Sequence, residues 1–107
     1  MDLAVEIYRL TKTFPKDETY RMVSQTTRAA ASVPANIAEG HSRRTSRDYA
    51  QFLTIAKGSL MELETYLTLA IRLEYLREHE VQAATDLVTQ ISKMITSLRK
   101  RILELVP

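Results

Sequence analysis

From Val81 to Ile102 apolar residues recur by steps of three and four: Val81, Ala84, Val88, Ile91, Ile95, Leu98 and Ile102. Nothing else in the chain constrains its fold as strongly. A period near 3.5 is the period of a helix with one apolar seam, and a strand would alternate every second residue. Leu87 and Met94 flank the seam. A helix is expected over 78–103, packed on its neighbours at shallow crossing angles near about +20°. One such seam cannot be buried alone, so the rest of the chain must supply partners.

Three further segments carry helical spacing. Over 46–73, Tyr49, Leu53, Ala56, Leu60, Leu63, Leu67 and Ala70 form one stripe. Phe52, Ile55, Tyr66, Leu69, Leu73 and Leu76 form a second, which widens the face expected to be buried. Thr45 and Asp48 have capping-box spacing at its start. Gly58 is expected to mark a close contact, since a helical Gly costs about 1 kcal/mol relative to Ala. Over 2–14, Leu3, Ile7, Leu10 and Phe14 share a stripe that Pro15 ends, and Asp17 is placed to cap the next helix. Over 18–39, Tyr20, Val23, Thr27, Ala30, Pro34, Ile37 and Ala38 keep to one face. Pro34 predicts a kink or brief break there, and Gly40 fits the left-handed position after a helix end.

Four helices with short connections predict an all-α protein: an antiparallel up-down-up-down four-helix bundle, its second helix kinked at Pro34, forming one domain over 1–107. Two Gly and three Pro in 107 residues are too few for a turn-rich β protein, and 45% hydrophobic residues suffice for a core. The first helix is about half the length of the third, so apolar surface on the third stays uncovered. Tyr66, Leu69, Leu73 and Leu76 are the candidates, and burying them against a second copy predicts a homo-oligomer. The alternative is a monomer with ordinary exposed leucines. The N-terminus lacks the basic flank and apolar run of a signal peptide, and no stretch approaches the roughly 20 apolar residues of a membrane span. A soluble cytoplasmic protein without membrane contact is expected.

No motif points to catalysis. There is no phosphate-cradling Gly-rich loop, no GxSxG and no HExxH. His41 and His79 are the only histidines, and neither has a metal-spaced partner. Glu62 and Glu64 point to different helix faces, and no Glu-x-x-His pair exists. The absence of Cys removes thiolate chemistry. A non-enzymatic protein is expected, with no cofactor, no metal and no small-molecule substrate. Ser32, Asn36, Glu39 and Gly40 around Pro34, with Ser59 and Glu62 after Gly58, form a polar set with two readings. One is a small buried site. The other is repair of the carbonyl that Pro34 frees at Ala30.

Charge is the remaining signal. The formal net charge is only +2, but Arg43, Arg44 and Arg47 cluster at the second turn, and Arg99, Lys100 and Arg101 near the chain end. An up-down-up-down bundle places both clusters at one end, opposite Glu74, Glu78 and Glu80. Such an end suits phosphate contacts. Cations are also expected near a helix C-terminus from the macrodipole, and Asp2, Glu6, Glu39, Asp48 and Glu104 offset part of the charge.

The run Arg28-Ala29-Ala30-Ala31-Ser32-Val33-Pro34-Ala35-Asn36-Ile37-Ala38-Glu39-Gly40, the run Tyr49 to Leu60 and the run Glu62 to Leu67 together resemble a known family. These are bacterial four-helix-bundle proteins first noticed as reading frames in intervening sequences of large-subunit ribosomal RNA genes. The resemblance implies a homopentameric ring. It also implies kinship with the accessory variability proteins of diversity-generating retroelements, basic rings that bind nucleic acid and a reverse transcriptase. RNA or DNA, and a nucleic-acid-processing protein, are the partners it suggests, and no catalytic residue comes with it. The family usually has Gly where this chain has Glu74, which predicts an altered turn into the fourth helix.

Overall fold

The computed structural model describes residues 1–106. Helices α1 (Asp2–Thr11), α2 (Ser24–His41), α3 (Ser46–Arg72) and α4 (Glu78–Leu103) follow one another. A 3-10 turn (Lys16–Glu18) and a π-helical turn (Thr19–Val23) lead into α2. The helices form a four-helix bundle 50 Å long and 24 × 19 Å across. α2 packs chiefly on α3, α3 on α4, and α1 on both α2 and α4.

The core follows the seams. Leu53, Ala56, Leu60, Leu63, Leu67 and Ala70 of α3 are buried, as are Val81, Ala84, Val88, Ile95 and Ile102 of α4. Leu3, Ile7 and Leu10 of α1 join them, with Phe14 beyond its end. The 27 residues of α3 span about 40 Å and the ten of α1 about 15 Å, so α1 covers less than half of the bundle.

The connections are specified locally. Thr45 Oγ1 accepts the N–H of Asp48 at 3.1 Å and caps α3. At the start of α4, Glu80 turns back to accept the N–H of Arg77 at 2.9 Å. The α3–α4 turn keeps its left-handed residue without Gly: Glu74 has φ 64°. The Tyr75 N–H donates to Ala70 O (2.9 Å) and the Glu74 N–H to Ile71 O (3.0 Å), a Schellman pattern. The altered turn anticipated at Glu74 therefore does not occur.

Several expectations need correction. Of the kink or brief break expected at Pro34, the break is absent, since α2 runs through it. Gly40 lies inside α2 and has no positive φ; a Cβ there would stand 2.8 Å from Phe52 Cβ and 3.0 Å from Tyr49 Cδ1. It is a close-approach residue between α2 and α3, not a cap. Gly58, expected to be the close contact, has nothing within 4 Å of a Cβ position. Asp17 makes no cap hydrogen bond and is exposed within the 3-10 turn. Tyr20 is 91% exposed, and Met22 takes the inward place, because the π-helical turn shifts the register entering α2. Thr26 is buried in α2 although it carries no apolar signal, since its hydroxyl donates to Met22 O at 2.6 Å.

Candidate nucleic-acid interface

The sequence clusters of cations lie at the same end of the bundle but differ in what surrounds them. Arg43 is neutralised: it pairs with Glu39 at 2.5 Å, one helical turn back, and its guanidinium sits 4.7 Å from the Phe52 ring centroid. Arg44 and Arg47 are exposed beside it and make no ion pair among the described residues. Arg99 instead lies along the α3–α4 face, its Nε donating to Thr54 Oγ1 at 2.8 Å. Thr54 is two turns along α3 from Arg47, roughly 10 Å at about 1.5 Å per residue. The two clusters are thus neighbours along a face rather than one focus.

Sequence reasoning missed Thr54, Lys57 and Thr96 on that face. Lys57 Nζ donates to Thr96 Oγ1 at 2.9 Å, the mirror of the Arg99–Thr54 contact. A groove of about 460 Å³ between α3 and α4 is lined by Thr54, Lys57, Ile95, Thr96, Arg99 and Lys100, with no carboxylate among the described residues. The signal was present in the sequence as an absence. No acidic residue occurs in α3 between Asp48 and Glu62, nor in α4 between Asp86 and Glu104. Acids concentrate elsewhere: Glu6 hydrogen-bonds Arg9 and holds its guanidinium above the ordinary pKa, and Glu18 pairs with Arg21 at 2.5 Å.

The polar set around Pro34 divides. Asn36 Nδ2 donates to Ser32 O and to Ser32 Oγ, each at 2.8 Å. Ser59 donates to Ile55 O at 3.2 Å, so the proton in the 2.8 Å contact between Ser32 and Ser59 belongs to Ser32. This relay ties α2 to α3. It answers neither for Ala30 O nor for a ligand, and no buried side-chain N or O lacks a partner among the described residues. Glu39 and Glu62 take no part, because they face Arg43 and Arg28 (3.7 Å) at the surface.

The expected oligomer stripe is also revised. Leu76 is 2% exposed and belongs to the chain's own core, whereas Leu69 (43%) and Leu73 (46%) are open and Tyr66 is half-buried. Tyr20, Arg21 and Met22 of the π-helical turn line the same shallow depression as Tyr66, Leu69 and Leu73. A second apolar cleft, of about 750 Å³, runs between α1 and α2 past Met1, Val5, Tyr8, Pro34 and Ala35. His41 is exposed with its ring edge-on to Tyr49 (5.8 Å), and His79 is exposed in the first turn of α4. No group of three or more His, Cys, Asp or Glu able to hold a metal ion occurs among the described residues. None of the described helices is long and apolar enough to cross a membrane.

Comparison with known proteins places these features. No curated protein matches the chain. Among solved structures, a protein of unknown function from the S23 ribosomal protein family of Bacteroides thetaiotaomicron superposes with a TM-score of 0.82. It shares 28% identity over 92% of this chain and 93% of that one. The model of the 23S rRNA-intervening sequence protein family matches residues 1–97. With a match that takes in α1, α2, α3 and most of α4, the chain belongs to the 23S rRNA-intervening sequence protein family.

Proposed function

We propose that the protein is a non-enzymatic, homo-oligomeric bundle that binds structured RNA through the basic face at the α2–α3 turn and along α3 and α4. The observation that supports this reading is the set of cations there without a carboxylate partner among the described residues: Arg44, Arg47, Arg99 and Lys100, with Arg101 at the same end but turned to the α2–α4 side. An exposed cation that already faces a carboxylate gains little from a phosphate, whereas an uncompensated one releases counterions when it meets one. The family's link to ribosomal RNA genes favours RNA over DNA as the ligand. Self-association through apolar surface, in five-fold form by resemblance, would repeat this weakly charged face and raise its avidity. The kinship with the accessory variability proteins that the sequence resemblance implies would extend the reading to a nucleic-acid-processing protein as a further partner.

The test is titration of a structured RNA of mixed sequence across a salt series. Tight binding that weakens steeply with salt is expected. Replacing Arg44 and Arg47 with Ala should flatten the slope, and Arg43→Ala should do so less, since Glu39 already neutralises Arg43. Failure of the parent protein to bind at low salt overturns the RNA reading. It would leave a structural or protein-binding oligomer, which the open patch of Tyr20, Leu69 and Leu73 favours.

A further inference from the structure

Lys57 stands alone in the sequence, far from either arginine cluster, yet α3 and α4 bring it beside Arg99 and Lys100. Thr54 and Lys57 are three apart on α3, and Thr96 and Arg99 are three apart on α4, so each pair shares one helix face. The antiparallel packing crosses them. Lys57 reaches over to Thr96, and Arg99 reaches back to Thr54. Each cation is therefore held by a hydroxyl of the opposite helix.

The chemistry of that arrangement is unusual for a strut. Exposed cross-helix contacts between charged residues ordinarily join a cation to a carboxylate. Here both partners are neutral, and no carboxylate of the described residues lines the groove. Thr54 donates its own proton to Ala50 O at 3.1 Å, which turns an oxygen lone pair toward Arg99. Among the described residues Arg99 is engaged only at Nε, so both terminal NH2 groups remain for an acceptor, in the fork that suits phosphate oxygens. Lys57 uses one of its three N–H bonds. Ile95 forms an apolar wall of the groove, where charge is less well hydrated.

We propose that the α3–α4 groove is a preformed seat for one phosphodiester group of RNA, with Lys57, Arg99 and Lys100 as donors and Thr54 and Thr96 holding the first two in place. This deepens the RNA-binding reading and rests on it for the ligand, though not for the anion chemistry. The experiment compares Lys57→Gln, Thr96→Val and Arg72→Gln in the full chain. Arg72 is exposed at the far end of α3, so its variant removes the same charge away from the groove. Lys57→Gln should reduce RNA affinity roughly tenfold at moderate salt and lower the salt slope by about 0.9, one phosphate contact. Thr96→Val should weaken binding roughly two- to fivefold with the slope unchanged, because it removes the positioning hydroxyl and no charge. Arg72→Gln should do neither, and thermal melting of each variant confirms that the fold is intact. In parallel, tripolyphosphate is titrated while the Arg99 Nε–H resonance is followed by NMR, and a shift that Lys57→Gln weakens is expected. If Lys57→Gln matches Arg72→Gln while Arg44 and Arg47 still matter, the seat is overturned and RNA binding stands. If RNA fails to bind but tripolyphosphate shifts the resonance, the anion seat stands and the RNA reading falls. If neither ligand acts at Arg99, the seat is overturned.

Discussion

Substituting Ala at the two glycines should move stability in opposite directions. Both lie inside helices with no positive φ, so the propensity gain from Gly to Ala is about 1 kcal/mol at either site. At Gly58 nothing lies within 4 Å of the new Cβ, and the gain should appear nearly in full. At Gly40 the Cβ meets Phe52 Cβ at 2.8 Å and Tyr49 O at 3.3 Å. Neither atom is the free end of a flexible chain, so α2 and α3 must move apart. Overpacking of that kind costs about 1–3 kcal/mol, which cancels the propensity gain and on balance destabilises by about 1 kcal/mol. The two variants should then differ by about 2 kcal/mol, or roughly 10 °C in melting temperature for a domain of this size. Urea and thermal unfolding followed by circular dichroism at fixed protein concentration measure it. A Gly40→Ala protein as stable as Gly58→Ala would refute the close approach of α2 and α3. A destabilised Gly58→Ala protein of altered mass would show that the open face of α3 is covered by another copy.

Three further substitutions probe the remaining features. Glu74→Gly should stabilise by about 1 kcal/mol, because a residue at φ 64° carries a left-handed penalty that Gly escapes; no gain in unfolding midpoint would argue against the Schellman turn. Leu69→Glu should lower the solution mass measured by light scattering if the patch beside Tyr20 is an oligomer contact, and a parental mass would remove Leu69 from any interface. Ser59→Ala should cost about 1 kcal/mol by cutting the Asn36–Ser32–Ser59 relay, with RNA affinity unchanged; a loss of binding at full stability would restore the polar set as a site.

How much of the fold was legible depended on how each segment hides its apolar face. The seams of α3 and α4 were readable because large residues mark every turn, and their ends were readable from Thr45 and the residues after Leu73. α2 was misjudged because its contacts use small or polar residues. Thr26 is buried at no hydrogen-bonding cost, and Gly40 contributes by having no side chain. A hydrophobic pattern registers neither. In the second stripe of α3, Leu69 and Leu73 are the open residues that the unequal helix lengths pointed to, while Ile55 is exposed and Leu76 buried, a difference that helical spacing alone does not register.

The basic face was partly legible for a reason that lies in helix register. A run such as Arg43-Arg44 is visible in sequence, but the i,i+4 acid that pairs with Arg43 is visible too, and a pair four residues apart at a helix end is a local matter. Lys57 belongs to no run, and its surroundings are set by α4. Thr54 lies level with Arg99 and Lys57 with Thr96, so each step along α3 is matched by a step back along α4. Continued at that register, Ala50 comes level with Leu103, and the acid-free stretch of α3 lies alongside the acid-free stretch of α4. Two ordinary gaps in the acidic pattern, far apart in the chain, thereby become one surface without an Asp or Glu from either stretch. A one-turn slip of α4 would separate Lys57 from Thr96 and Arg99 from Thr54 together. The heptad seam from Val81 to Ile102 fixes that register, and so the residues that build the core also place the cations.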